Sequence, residues 1–155
     1  MKRVAALLHA LCLLALAVPL AVLADLVNER REVAGIRFHF GIVPAEIVQK
    51  HQPGHPEREM HKGAPSGRSQ YHVMVAIFDA KSGARITDAE VKARVEGVGP
   101  MSGQEKALEP MLVADAMTYG NFFDVPGKAS FRVVLEVRRP EQPGAAVVRF
   151  EHKHR

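Results

Sequence analysis

The sequence contains few or none of several residue types, and each shortage removes a class of function. It has one Cys and no Trp, and Cys12 lies within the N-terminal apolar run. After Ala24 the chain therefore has no thiol that could form a disulfide, bind a metal or act as a nucleophile. No apolar run after Ala24 is long enough to cross a bilayer, so we expect no membrane span in that part.

The first 24 residues have the three parts of a secretory signal peptide. A basic pair, Lys2-Arg3, precedes an apolar run that ends in Val22-Leu23-Ala24, with small residues at the cleavage positions. The same run is about twenty residues long and could instead remain as a membrane anchor. Pro19 and the good cleavage site favour removal. We expect a periplasmic or secreted protein in which residues 25–155 form a single domain.

A strong excess of one charge is also missing. The formal charge of the whole chain is +4, and two of the basic residues belong to the signal peptide. The remaining basic and acidic side chains are scattered along the chain, whereas nucleic-acid binding needs a basic stripe or patch. We therefore expect no nucleic-acid partner.

Alternation of apolar and polar residues is the dominant pattern after the signal peptide. Glu90–Glu96 alternates cleanly, whereas Tyr71–Asp79 is nearly all apolar, as expected of a strand that is buried on both faces. Seven segments are predicted as strands: Val33–Ile42, Tyr71–Asp79, Glu90–Glu96, Ala107–Val113, Met117–Phe123, Phe131–Val137 and Ala145–His154. Turn residues separate most of them, which predicts an all-β fold, a small β-sandwich of about seven strands.

One long stretch does not fit the strand pattern. Ala45–Lys50 could form a helical turn, and residues 51–70 are rich in Pro, Gly, His and charge, with almost nothing to bury. We interpret residues 51–70 as a long polar loop. Loops of that length in compact domains are usually functional or disordered.

The distinctive residues of the chain are His and Met. Seven of the eight His and five of the six Met follow the signal peptide. Cu(I) prefers soft sulfur ligands and Cu(II) prefers imidazole nitrogen, so a thiol-free chain with both donors suits copper. An oxidising compartment also favours Met over Cys as the sulfur donor.

Some of these donors are expected to meet at one end of the sandwich. His72 and Met74 share a strand face because they are two residues apart. Met60-His61 closes the polar loop about ten residues before that strand, so the loop could fold back towards His72. The candidate metal ligands are His72, Met111, His61, Met60 and Met117.

Ordinary structural roles compete with metal binding for most of these residues. Met74 is expected in the core, and His72 is equally well interpreted as a satisfied structural histidine. His39 should point away from the face of its Phe neighbours. The remaining histidines are expected in the solvated loop or on a frayed terminus: His51, His55, His152 and His154.

Catalysis has little support in the sequence. There is no GxSxG nucleophile motif, and every Ser after the signal peptide falls in a Gly/Pro loop or at a strand start: Ser66, Ser69, Ser82, Ser102 and Ser130. Gly97–Gly103 resembles a phosphate loop only in its glycines, since the Lys and the following helix are missing. We expect a protein that is not an enzyme.

The middle of the chain resembles YtkA-like and related immunoglobulin-like domains of exported proteins. The residues that carry the resemblance are VAIFDAKSGARITDAEVKARV, LEPM and TYGNFFDVPGKASFRVVLEV, within about residues 71–139. The resemblance implies an immunoglobulin-like sandwich, and some relatives handle periplasmic copper. It points to His72 on the first of these strands and to Met111 in the Met-containing segment.

Three functional hypotheses follow. The first is an exported metal-binding protein, with copper as the ion, that serves as a chaperone, a buffer or an accessory to a membrane transporter or oxidase. Its partners would be the metal ion and an envelope or inner-membrane protein. The alternative is a metal-free immunoglobulin-like interaction module of the cell envelope. A third hypothesis is a small-molecule site in an apolar pocket lined by Phe122, Phe123 and Tyr119.

Overall fold

The computed structural model describes residues 27–97, 103–125 and 130–153. The predicted signal peptide (residues 1–24), Met101 and His154 lie outside these ranges. Within them, no helix combines the length and the apolar character that a membrane crossing requires.

Nine strands and two short helices form in the described ranges. They are β1 (Val27–Val33), β2 (Ile36–Pro44), α1 (Ala45–Gln49), α2 (Pro56–Glu59), β3 (Gln70–Asp79), β4 (Glu90–Gly97), β5 (Gln104–Ala107), β6 (Glu109–Val113), β7 (Ala116–Asp124), β8 (Phe131–Arg138) and β9 (Ala146–His152). A 3-10 turn, Met60–Lys62, follows α2. The predicted all-β class is confirmed.

The strands form a sandwich of two antiparallel sheets. One sheet has five strands in the order β1-β2-β3-β7-β6, and the other has four in the order β5-β4-β8-β9. Because side chains alternate across a strand, every second residue points between the sheets. The predicted inward positions of β4, Val91, Ala93 and Val95, are buried in that core.

The predicted number of strands was too small by two, and each miss has a local cause. A two-residue turn at Ala34-Gly35, with φ of 50° and 75°, divides the segment around Val33–Ile42 into the hairpin of β1 and β2. Positive φ at both turn residues is the geometry of a tight hairpin. β5 was also not predicted, because Gln104–Ala107 is short and polar.

The segment predicted as a long polar loop, residues 51–70, contains short helical structure. α2 and the 3-10 turn lie within it, and the side chain of Gln49 donates hydrogen bonds to the carbonyl oxygens of Ala64 and Pro65. Arg58 also donates to the carbonyl oxygen of His51 at 2.9 Å. The segment is therefore tied down rather than solvated along its whole length.

A second apolar cluster lies on the outer face of the five-stranded sheet. Ala45 and Val48 of α1 pack with Phe122 of β7, and Val43 and Ala64 flank them. As a result, the first part of β3 is buried on both faces, as predicted, while its later outward residues are only partly covered. The outer face beside this cluster holds the candidate site.

Candidate metal centre

His72 occupies an unusual position on the outer face of the five-stranded sheet. Its neighbours Tyr71 and Val73 point into the main core, so the imidazole points the opposite way. The residue is nevertheless only 1% exposed. Its ring stacks on Phe122, the cross-strand partner on β7, with centroids 4.6 Å apart. A buried imidazole thus faces the region outside the sandwich core.

Met111 reaches the same place from the edge strand. β6 and β7 form a hairpin with φ of 48° at Ala114 and 61° at Asp115, and Met111 pairs with Thr118. The nearby Gly120 has no side chain, and the point that a Cβ would occupy lies 2.9 Å from Met111 Sδ and 2.8 Å from His72 Nε2. The thioether and the imidazole therefore converge on the space beside Gly120.

His61 is brought to this pair by the 3-10 turn. Its backbone is left-handed, with φ 56° and ψ 31°, and its side chain is only 5% exposed. The ring centroid lies 5.5 Å from that of His72, and the ring meets Phe122 edge-on at 5.9 Å. His61 Nδ1 lies 2.9 Å from a carboxylate oxygen of Glu109. Because an ionised carboxylate can only accept a hydrogen bond, this contact places a proton on Nδ1 and keeps Nε2 away from Glu109.

Both Nε2 atoms are buried without a partner. Neither His61 Nε2 nor His72 Nε2 has a hydrogen-bond partner within the described part of the chain. Burial, and secondarily the charge of His61, lower the pKa of His72 to about 3, so its imidazole is neutral at neutral pH. Orphaned buried polar atoms are rare, and an unfilled ligand position is one explanation for them. Two imidazoles beside a thioether fit copper.

The other predicted ligands lie further out. Met60 and Met117 border an open groove of about 500 Å³ that also exposes His61 and Met111. Met117 pairs with Leu112 and alternates onto the face of Tyr119, opposite to Met111. The groove is thus an approach to the site, and we call the three converging residues, His61, His72 and Met111, the His-Met cluster.

Met74 does not lie in the core, contrary to the expectation. It shares the outer face with His72, pairs with Gly120 and is partly exposed. No group of three or more His, Cys, Asp or Glu side chains is placed to hold a metal ion in the described ranges. A site here consequently depends on the Met111 sulfur.

The remaining histidines are separate from the His-Met cluster. His51 and His55 stack on each other at 4.3 Å, and His39 meets Phe78 edge-on. His152 was expected on a frayed terminus, but it is 7% exposed and packs against Phe131. The frayed-terminus prediction for His152 was therefore wrong.

The small-molecule pocket predicted from three aromatic residues is also not formed. Tyr119 and Phe123 belong to the main core, whereas Phe122 belongs to the cluster on the opposite face of the sheet. Phe122 therefore lies on the opposite face of β7 from the other two rings, and the three cannot line one cavity.

Two residues of the site were not identified from the sequence. Glu109 gave no signal except its position two residues before Met111. Gly120 gave a weak one, because a glycine inside a strand often marks the close approach of another group. The role of each became visible only from the distances that join it to His61, His72 and Met111.

Comparisons with known proteins identify the fold. No protein-family model matches the chain, and no curated protein matches it in sequence. A copper-bound variant of FetP from uropathogenic Escherichia coli is similar in structure, with a TM-score of 0.60 and 14% identity over 83% of this chain and 95% of that one. Copper-reconstituted P19 from Campylobacter jejuni gives a TM-score of 0.58 and 12% identity over 83% and 94%.

A DUF4426 family protein from Pseudomonas aeruginosa is similar as well, with a TM-score of 0.57 and 15% identity over 81% of this chain and 92% of that one. The more specific resemblance to YtkA-like domains stays a prediction. At these identities the similarity concerns the fold alone, and the chain has the β-sandwich fold of FetP and P19.

Proposed function

We propose that this protein is an exported metal-binding protein that takes copper reversibly at the His-Met cluster. In this proposal His61 and His72 supply imidazole nitrogen through Nε2, and Met111 supplies thioether sulfur. Copper, when bound, would be the cargo that the protein holds and passes on. Binding rather than catalysis is the proposed role.

The observation that carries the proposal is the convergence of unsatisfied donors. Two Nε2 atoms are buried without hydrogen-bond partners in the described ranges, and His72 Nε2 and Met111 Sδ lie within 3 Å of one point beside Gly120. Leaving a buried polar atom unpaired costs about 1–3 kcal/mol. A ligand that accepts both lone pairs would offset that cost.

Two further observations support copper and export. FetP and P19 share this fold, and both have been observed with copper bound. FetP has also been isolated after expression in the periplasm. The signal-peptide pattern of residues 1–24 independently favours export.

The exposed groove supports reversible exchange. Met60, Met111 and Met117 border it, and it opens to solvent beside the edge strand β6. A chaperone, a buffer or an accessory to a membrane transporter or oxidase all need a site that a second protein can reach. The groove is the surface on which such a partner would exchange the ion.

The test is metal titration of protein recovered from periplasmic extracts after expression of the full chain. Copper should bind in a ratio of one ion per chain under chelator competition, and both His72→Leu and Met111→Leu should lose that binding. His39→Leu is the matched control outside the His-Met cluster and its groove, and it should retain that binding. The intact mass of the protein reports whether the chain begins at Asp25.

If the wild-type protein binds no copper tightly although circular dichroism shows that it is folded, the proposal is refuted. The metal-free interaction module would then be the better hypothesis. Equal loss in the His39→Leu control would show that the binding does not depend on the His-Met cluster, and would also count against the proposal.

A further inference from the structure

The donors of the His-Met cluster also favour one oxidation state of copper over the other. We infer that this site selects a monovalent soft cation, Cu(I), and discriminates against Cu(II) and Zn(II). The inference rests on the proposed function, which it makes more specific. Three properties of the donors support this preference: their charge, their number and their softness.

The converging donors carry no negative charge. His72 Nε2 and Met111 Sδ lie within 3 Å of one point beside Gly120, and the His61 ring, whose buried Nε2 has no partner in the described ranges, lies 5.5 Å from that of His72. The Glu109 carboxylate lies at the opposite nitrogen of His61, Nδ1, at 2.9 Å and is not one of the converging donors. The electrostatic cost of burying an ion rises with the square of its charge, so an uncharged cluster favours a monovalent ion over a divalent one.

The number of donors points in the same direction. Structural Zn(II) sites are almost always four-coordinate with N, S or O ligands, and Cu(II) prefers a square arrangement of N and O. Only three donors converge here, and the described ranges contain no cluster of three His, Cys, Asp or Glu that could supply more. Cu(I) accepts few ligands and prefers soft sulfur.

The groove that leads to the cluster is also bordered by soft sulfur ligands. The groove beside His61 is bordered by Met60 and Met117, together with Met111 itself. Thioethers attract Cu(I) and have little affinity for hard divalent ions. A Cu(I) ion that enters the groove would meet sulfur before it reached the two imidazoles.

The experiment compares four ions on the periplasmic protein: Cu(I) under anaerobic conditions, Ag(I) as a probe with the same charge, Cu(II) and Zn(II). Each dissociation constant is measured by competition with a chromophoric chelator. Cu(I) and Ag(I) should bind on the order of 100-fold more tightly than Cu(II) or Zn(II). NMR signals of the His61 and His72 imidazoles should shift when Ag(I) is added.

Two variants connect this preference to the donors. Met111→Leu removes sulfur at nearly constant volume and should weaken Cu(I) binding by about tenfold or more, with little effect on Zn(II). His61→Asn should also weaken Cu(I), and Asn tolerates the left-handed backbone of that turn. His39→Leu, on the same outer face of the sheet but outside the His-Met cluster and its groove, is the matched control and should change the Cu(I) affinity by less than about threefold.

The possible failures are distinguishable. Cu(II) or Zn(II) binding as tight as Cu(I), through the same residues, would overturn the monovalent preference and leave the proposed metal-binding function intact. No tight binding of any of the four ions would overturn both. An unchanged Cu(I) preference in Met111→Leu would show that the thioether does not produce the selectivity, and this would overturn the inference.

Discussion

At the scale of one residue, His72 occupies a position that lowers the stability of the fold. Its ring is 1% exposed, and its Nε2 has no partner in the described ranges. A core designed only for stability would place an aliphatic side chain there, because an unpaired buried nitrogen is costly. Natural proteins retain such costs mainly at functional sites.

We predict that His72→Leu makes the metal-free protein more stable. Leu fills a similar volume against Phe122 and removes the unpaired nitrogen, so the free energy of unfolding should rise by about 1–3 kcal/mol. Thermal unfolding in the presence of a chelator measures the change, and added copper should no longer raise the melting temperature.

His39→Leu on the same face of the sheet is the control, since His39 is only partly buried and packs edge-on against Phe78. Its melting temperature should change by less than that of His72→Leu. A His72→Leu protein that melts clearly below the wild type would mean that the imidazole stabilises the fold, contrary to this prediction.

Glu109 is predicted to act as a positioning residue for His61. The carboxylate accepts from Nδ1–H at 2.9 Å and would thereby orient Nε2 for a bound ion. Partners of this kind are typically worth 10- to 100-fold in metal affinity. Glu109→Ala should therefore weaken copper binding by about tenfold, and Glu109→Gln by less, because the amide oxygen can accept the same hydrogen bond.

The imidazole 15N shifts of His61 test the role of Glu109 without metal. The wild-type protein should show the Nδ1–H tautomer, and Glu109→Ala should show a mixture of the two. Glu105→Ala, on the exposed strand β5, is the matched control and should change neither the tautomer nor the affinity. An unchanged tautomer in Glu109→Ala would contradict the positioning role.

At the scale of elements, the β6–β7 hairpin sets the size of the site through Gly120. An added Cβ would lie 2.6 Å from Met111 Cε and 2.8 Å from His72 Nε2. The backbone of Gly120 has no positive φ, so alanine is conformationally acceptable there. We predict that Gly120→Ala lowers the melting temperature, because the buried His72 ring and the end of Met111 must move, and that it weakens copper binding by about tenfold or more.

Gly144→Ala is the control for a loss of stability away from the site. Gly144 has φ +88° and open space around it, so an alanine there should strain the backbone by about 1 kcal/mol without touching the site. It should lower the melting temperature and leave the copper affinity unchanged. If Gly120→Ala instead behaved like Gly144→Ala, the close approach of Met111 and His72 to Gly120 would have no role in binding.

The strands could be predicted where alternation was strong and could not where the decisive feature was a turn or an edge. Val91, Ala93 and Val95 were assigned to the core correctly because a period of two follows directly from strand geometry. β1 was missed because its residues are mostly charged and it lies at the edge of its sheet. No local pattern distinguishes such a strand from a loop.

The site was predictable in its residues more than in its geometry. His72 and Met111 were identified from donor type and resemblance, and the structure places them together beside Gly120. The burial of His61 could not be foreseen, because it depends on a left-handed turn in a segment that looked entirely polar. Met74 was assigned to the core because its face of β3 could not be read from a nearly continuous apolar run.

At the scale of the whole molecule, the two faces of the five-stranded sheet differ in how far they are covered. The inner face packs against the four-stranded sheet, and the two sheets contribute equally to the apolar core. The outer face is covered only locally, by α1 and the segment that ends in the 3-10 turn. This small cover buries the His-Met cluster, so the stability of the fold and the properties of the site are connected through His72.

That connection predicts how stability depends on pH. Burial first, and the charge of His61 second, lower the pKa of His72 to about 3 in the folded protein, against 6.5 for an ordinary histidine. Between these values the unfolded chain binds a proton that the folded protein does not. Proton binding at His72 therefore leaves the free energy of unfolding unchanged above pH 6.5. It lowers that free energy progressively as the pH falls from 6.5 towards 3.

The expected size follows from the difference between the two pKa values. At pH 5 the wild-type protein should lose about 2 kcal/mol relative to pH 7.5 through His72 alone. His72→Leu lacks this proton uptake, so its advantage in unfolding free energy should grow by that amount between the two pH values. Urea unfolding of both proteins at pH 7.5, 6 and 5, with a chelator present, measures the difference and cancels the contributions of other groups. Parallel curves would mean that His72 is protonated in the folded protein, which a buried ring stacked on Phe122 and facing His61 should resist.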